Sequence, residues 1–166
     1  MKKDLKEINI LLNVLGLFAF VVSFGGALFA FGFDYIKSLL SHDGFLNINV
    51  TVPASVSVWS FVFLAVLIAM VVLGFIFKNK VLLLTAASYQ VLLLLSVLML
   101  LLLMNADISE TLYTVLLWVL IILFAPVYGA IWQLGAFFFL VFIPLIIVTI
   151  VFVVKIFKSE RTKKSK

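Results

Sequence analysis

The sequence has no cysteine, a single histidine and few charged residues. Without cysteine the chain cannot form a disulfide, a thiolate nucleophile or a cysteine metal site. Charged residues make up 11% of the 166 residues, whereas hydrophobic residues make up 66%. Soluble domains carry roughly 25% charged and 45–50% apolar residues, and a chain this short cannot hide such an apolar excess in its interior. The composition therefore excludes a water-soluble domain and predicts an integral membrane protein surrounded by the lipid bilayer.

Long apolar runs predict where the chain crosses the membrane. A crossing helix needs about 20 mostly apolar residues because the hydrocarbon core is about 30 Å thick, and an open strand would leave its backbone groups unpaired in lipid. We predict an all-α integral membrane protein, a compact helical bundle forming one polytopic domain over residues 1–158, with a basic cytoplasmic tail over residues 159–166. The predicted spans are residues 8–31, 56–77, 81–104 and 134–157, with an outer loop over residues 32–55.

The stretch from Thr111 to Phe157 is too long for one crossing and carries no charged residue before Lys155. Helix-breaking or polar residues mark the expected interruption, namely Gly129, Gln133 and Gly135, with Pro126 as a second candidate. Two interpretations follow. Residues 111–133 form an extra hydrophobic helix, re-entrant or interfacial, before a fourth span, or they form an ordinary span in a bundle of five.

The distribution of basic residues favours four crossings. Cytoplasmic flanks of membrane proteins collect Lys and Arg. With four crossings and the N-terminus inside, eleven of the twelve basic residues lie on the cytoplasmic side, and Lys37 alone lies outside. Five crossings would place five inside and seven outside. We therefore predict a plasma-membrane protein with both termini in the cytoplasm. Because the basic residues are explained by this orientation, they give no indication of nucleic-acid binding.

Two helices carry residues that are typical of helix–helix contacts. In lipid, helices are joined by small residues, which allow close approach, and by residues that form hydrogen bonds. On the first helix the small or polar residues that share one face are Asn13, Gly16, Ala19, Ser23, Gly26, Ala27 and Ala30. On the third helix the polar residues are Thr85, Ser88, Tyr89, Gln90 and Ser96. Either set can face another helix of the chain, a membrane-protein partner or a second copy.

The loops carry two further predictions. Leu46, Ile48, Val50 and Val52 alternate with other residues as in a strand, which makes them candidates for a partner contact on the outer face. Asn49 begins a glycosylation acceptor triplet. Between the second and third spans the chain has only Lys78-Asn79-Lys80, which predicts a tight hairpin with Asn79 in the left-handed conformation of a helix end.

The sequence has few side chains that could take part in catalysis or bind a metal. The predicted spans contain no Asp, Glu, His or Arg, and Lys only at Lys155, whereas proton relays and charge-coupled transporters depend on such residues. His42 beside Asp43 is more typical of a solvated turn than of a metal or acid–base site. We therefore predict no catalytic site, no cofactor and no metal. The expected function is that of an accessory or structural subunit of a larger membrane complex, with a small passive channel or permease, or a small lytic or immunity-type protein, as alternatives.

Overall fold

Five α-helices make up most of the computed structural model, which describes residues 2–35, 52–103 and 110–164. Their bounds are α1 (Lys2–Ala30), α2 (Ala54–Ile76), α3 (Lys80–Leu103), α4 (Glu110–Leu134) and α5 (Ala136–Lys164). A π-helical turn, Phe31–Tyr35, continues α1. The helices extend beyond the predicted spans into charged sequence, because charged residues form helix readily once the chain has left the hydrocarbon. At the C-terminus, α5 runs through most of the predicted tail.

Among the residues that the structure describes, four helices contain a segment long and apolar enough to cross a membrane. These segments are Lys6–Phe33, Ala54–Ile76, Lys80–Met99 and Phe137–Lys158. In the described part of α4 the apolar segment is Ile122–Leu134, which is shorter. The prediction of an all-α membrane bundle with four spans and one extra hydrophobic helix, or with five spans, is confirmed.

The central helix of the bundle is α2, which contacts every other helix and packs most extensively against α4 and α1. In its apolar segment 39% of the residues are buried, against 17% in α1 and 22% in α5. Phe63 and Leu67, which are fully buried, lie in the core with Tyr89 of α3 and Phe138 of α5. The helices α1 and α5 are therefore peripheral, and most of their surface faces lipid.

The turn between α2 and α3 is built differently from the prediction. Lys78, not Asn79, adopts the left-handed conformation, with φ 50°. The N–H groups of Lys78 and Asn79 donate to the carbonyls of Phe75 and Gly74, which is the double hydrogen bond of a Schellman helix end. Asn79 comes one residue later and caps α3, since its Oδ1 accepts from the N–H groups of Val81 (3.1 Å) and Leu82 (3.3 Å).

Asn79 also joins this turn to α1. The side chain is buried, and its Nδ2 donates to the carbonyl oxygen (3.2 Å) and the side-chain oxygen (3.3 Å) of Asn9. Two ring contacts bring α5 to the same place. The rings of Phe75 and Phe152 stack with centroids 3.9 Å apart, and Lys80 Nζ lies 5.2 Å from the centroid of Phe157. The beginning of α1, the α2–α3 turn and the region of residues 152–158 thus meet at one end of the bundle, which we call the lysine end.

A single residue, Gly135, separates α4 from α5. Its φ is +53°, a left-handed value that glycine adopts without steric cost, and its N–H donates to the carbonyl of Ile131 at 2.7 Å. Of the residues expected to mark the break, Gly135 alone interrupts the helix. Gly129, Gln133 and Pro126 all lie within α4.

Gly129 lies where α4 approaches the backbone of α2, and we expect a side chain at this position to be destabilising. A Cβ at this position would lie 2.6 Å from the carbonyl oxygen of Val56 and 2.7 Å from Cα of Ser57, which are backbone atoms that cannot rotate away. Gly129→Ala should therefore lower the free energy of unfolding by about 1–3 kcal/mol, the usual cost of overpacking. Reversible unfolding in mixed detergent micelles, followed by circular dichroism, measures the change.

Gly25→Ala is the matched control, because a Cβ at Gly25 would meet no atom within 4 Å. This substitution should be neutral, or should stabilise α1 by up to about 1 kcal/mol through the better helix propensity of alanine. Equal effects of the two substitutions would contradict the close approach of α4 to α2.

Candidate functional site

The small-residue face of α1 lies toward the interior of the bundle. Ser23, Ala27 and Ala30 are buried, and the other members of the face, Asn13, Gly16, Ala19 and Gly26, are half-buried. A Cβ at Gly16 would collide with the side chain of Leu82 on α3, and one at Gly26 would lie 2.5 Å from the ring of Trp59 on α2. These small residues therefore allow α1 to approach α2 and α3 closely.

One part of this face is left unfilled by the described residues of the chain. Beside Ala19 a groove of about 220 Å³ lies between α1 and α2. Its lining is almost entirely apolar and consists of Leu12, Leu15, Gly16, Ala19, Val66, Ala69, Met70, Leu73 and Leu82. Ala19 is half-buried and Ala69 is exposed, so the groove opens toward the surroundings. A neighbouring helix with one apolar ridge could enter it.

Two of the five polar residues predicted on α3 are satisfied within the helix itself. The hydroxyls of Thr85 and Ser96 donate to the carbonyls of Val81 (2.9 Å) and Leu92 (2.7 Å) in their own helix. Such bonds to the preceding turn satisfy a hydroxyl in an apolar medium without joining two helices. The hydroxyls of Thr85 and Ser96 therefore bond within α3, and Ser96 is buried in the bundle.

Tyr89 does link two helices. Its hydroxyl donates to the carbonyl of Leu123 in α4 at 3.1 Å. Its ring lies 4.9 Å from that of Phe63, at a steep angle, and 6.1 and 6.2 Å from the rings of Phe20 and Phe24 on α1. Edge-to-face contacts of this kind add to the packing of aromatic side chains. Tyr89 thereby connects α3 with α1, α2 and α4.

Beside Tyr89 a second groove opens between α1, α3 and α4. It has a volume of about 370 Å³ and is lined by Phe20, Phe24, Thr85, Ser88, Tyr89, Leu92 and Leu123. Ser88 is exposed at this groove, unlike Ser96, which is buried. The groove therefore presents aromatic rings and one accessible hydroxyl at the side of the bundle.

Gln90 is the most unusual polar residue of the interior. It is 1% exposed, yet neither its amide oxygen nor its amide nitrogen has a hydrogen-bond partner among the residues that the structure describes. The Oδ1 atom of Asn13 is in the same situation. A buried amide without partners costs free energy in any folded state, because it has lost its hydrogen bonds to water. These buried polar atoms therefore lower the stability of the bundle.

Two serines that the sequence did not single out join α2 to α4. The backbone N–H of Gly129 donates to Ser60 Oγ at 3.0 Å, and Gln133 Nε2 donates to Ser57 Oγ at 3.3 Å. Ser57 and Ser60 are three residues apart on one face of an apolar helix, and this spacing was the signal available in the sequence. Both are buried.

Of the predicted partner contacts in the outer loop, Leu46, Ile48 and Val50 lie outside the described residues, as does Asn49. Val52 is described, and it is buried beside Ala30 and Val56. Phe31 and Tyr128 close this small cluster with rings 5.2 Å apart. Val52 therefore packs within the chain itself.

Comparisons with protein-family models, with curated proteins and with solved structures found no match for the chain. The fold and the apolar spans define its class, an all-α membrane protein. Within the described ranges, no three His, Asp or Glu side chains are close enough together to hold a metal ion.

The unpartnered amide of Gln90 leads to a prediction about stability. Gln90→Leu removes both orphaned polar atoms and keeps a side chain of similar size, so we expect the free energy of unfolding to rise by about 1–3 kcal/mol. Tyr89→Phe, one position away, should lower it by about 0.5–1.5 kcal/mol because it loses the hydrogen bond to Leu123. Unfolding in detergent micelles compares the two. A loss of stability in Gln90→Leu would show that the amide has a partner in the native membrane.

Proposed function

We propose that this protein is an accessory or structural subunit of a larger membrane complex and has no catalytic site of its own. The observation that supports the proposal best is the open groove between α1 and α2 at Ala19. Helix α1 has the least buried apolar segment of the four, so it contributes much of its surface to the outside of the bundle.

The chemistry of this groove favours one occupant, an apolar transmembrane helix of a partner protein. Helices associate in lipid mainly through van der Waals packing, which small residues improve by letting the backbones come close. Residues that line an unfilled groove lack van der Waals contacts on their open side. Gly16, Ala19 and Ala69 provide the small residues, and the groove has no charged residue in its lining. A partner helix would recover the missing contacts.

A small passive channel is the second candidate, and the orphaned amides favour it. Gln90 and Asn13 are the kind of polar groups that could line a solute path in an oligomer. Four other polar residues of the helices already have partners within the chain. Ser23, Thr85 and Tyr89 donate to the carbonyls of Phe20, Val81 and Leu123, and Gln133 donates to Ser57. This use of their hydrogen bonds makes the subunit role the better supported of the two.

We also propose four crossings with both termini in the cytoplasm of a plasma-membrane protein. The contacts of Asn9 with Asn79 and of Phe75 with Phe152 support an even number of crossings, since they bring the beginning of α1 and the later part of α5 to one end of the bundle. The lysines at that end support its cytoplasmic placement, because cytoplasmic flanks collect basic residues.

Filling the groove at Ala19 tests the subunit role. Ala19→Leu should leave the bundle folded, because the added atoms enter open space, but should lower co-purification of a defined partner in mild detergent by at least about tenfold, or about 1.4 kcal/mol. Gly25→Leu on the same helix is the control and should retain the partner, since Gly25 faces no neighbouring atom. A complex that contains only copies of this chain, or equal behaviour of the two variants, would refute the proposal.

Cysteine labelling tests the topology, and the native chain is suited to it because it has no cysteine. A cysteine at Ser41 should react with a membrane-impermeant maleimide added outside intact cells. One at Ser165 should react only after the membrane is permeabilised. Labelling of the Ser165 variant from outside would exclude the four-crossing arrangement.

A further inference from the structure

The groove beside Tyr89 is large enough to hold a small molecule. It lies between α1, α3 and α4, and its volume of about 370 Å³ falls in the range of roughly 300–1,000 Å³ that small-molecule sites occupy. Such sites combine apolar and aromatic walls with a few polar groups, and this groove has both. We call it the Ser88 groove, after the serine that is exposed in it.

The Ser88 groove contains one hydroxyl without a partner. Of the three hydroxyl groups that border it, two already donate within the chain. Thr85 donates to the carbonyl of Val81, and Tyr89 donates to the carbonyl of Leu123. Ser88 makes no hydrogen bond to any residue that the structure describes. Because a hydroxyl in an apolar medium gains free energy when it finds an acceptor, the groove suits a ligand that carries an acceptor atom.

Aromatic rings form much of the wall of the Ser88 groove. The rings of Phe20 and Phe24 lie nearly parallel, with 18° between their planes, and the ring of Tyr89 is inclined to them by 74° and 85°. Aromatic rings attract one another in offset-stacked and edge-to-face arrangements. Leu92 and Leu123 complete the lining with aliphatic surface. The walls therefore favour a flat, uncharged ring that carries an aliphatic chain.

The depth of Ser88 separates the candidate ligands. Ser88 is eight residues beyond Lys80, so it lies about 12 Å along α3 from the lysine end, within the hydrocarbon. The hydroxyl of a sterol stays near the membrane surface, and a plain hydrocarbon chain has no acceptor. A partner helix needs small residues for close approach, but the described lining of this groove has no glycine or alanine. The ring carbonyl of a lipid-soluble quinone meets every one of these requirements.

We propose that the Ser88 groove binds the ring of a lipid-soluble quinone. The hydroxyl of Ser88 donates to one carbonyl oxygen of the quinone. The ring packs against the side chains of Phe20, Phe24 and Tyr89, and the apolar tail extends from the groove into the lipid. The Ser88 groove shares no lining residue with the groove at Ala19, so the quinone site is independent of the subunit role and either can fail without the other.

Titration of the purified protein with a quinone tests the proposal. The protein in dodecyl maltoside is titrated with decylubiquinone or with decylbenzene, which has the same tail on a ring without oxygen atoms. Isothermal titration calorimetry measures the binding, and the heat of transfer into empty micelles is subtracted. We expect one decylubiquinone per chain, bound about tenfold more tightly than decylbenzene, because decylbenzene leaves the hydroxyl of Ser88 unpaired.

Two pairs of variants locate the site. Ser88→Ala should weaken decylubiquinone binding by about three- to tenfold, the effect of losing one hydrogen bond, whereas Ser96→Ala should change it less than twofold because Ser96 is buried outside the groove. Leu92 and Leu95 are both exposed leucines of α3, but Leu92 alone lines the groove. Leu92→Trp should therefore weaken binding by at least about tenfold, and Leu95→Trp should not. Thermal melting of each variant verifies that it is folded.

Three outcomes would overturn the proposal. The first is equal affinity of the native protein for decylubiquinone and decylbenzene. The second is unchanged affinity in Ser88→Ala or in Leu92→Trp, which would show that the quinone does not enter the groove. The third is cross-linking of the Ser88→Cys variant to another polypeptide by a bismaleimide in native membranes, which would show that a protein helix occupies the groove.

Discussion

Hydrocarbon supplies no hydrophobic force between helices and no hydrogen bonds to polar groups, and the rest of this structure depends on that constraint. Helices in such a medium are joined by close packing and by the few polar groups that find partners. Both kinds of contact, close packing and hydrogen bonds, are made by α2. Gly26 and Gly129 bring α1 and α4 against it, and Ser57 and Ser60 bond to α4. The helix that contacts every other helix is thus also the one that collects the specific contacts.

The fold class was predictable because it rests on long runs of apolar residues, which any polypeptide of this composition must place in lipid. The helix ends were less predictable, since hydropathy indicates where a helix meets lipid and not where its hydrogen bonding stops. Helix α1 therefore begins at Lys2, well before the predicted Ile8, and α5 continues to Lys164. Gly135 could be named only as one of several candidate breaks, because its positive φ depends on how α4 and α5 pack.

The candidate surfaces were predictable only in outline. A stripe of small residues indicates that α1 packs against something, but the sequence does not distinguish Gly16, which meets Leu82, from Ala19, which borders open space. Ser57 and Ser60 were missed because their acceptor role depends on Gly129 and Gln133, which are some 70 residues away in the chain. Conversely, the hydroxyls of Thr85 and Ser96 are used within their own helix, an option open to every serine and threonine in an apolar helix.

Asn79 has a consequence for how α1 is placed against the α2–α3 hairpin. Its oxygen accepts from the first N–H groups of α3, which are only two and three residues away. Its amide nitrogen bonds to Asn9, which is 70 residues away and on a different helix. The same side chain therefore fixes both the start of α3 and the level at which α1 lies along the hairpin. The register of the first helix is thus coupled to the geometry of a turn far from it in the sequence.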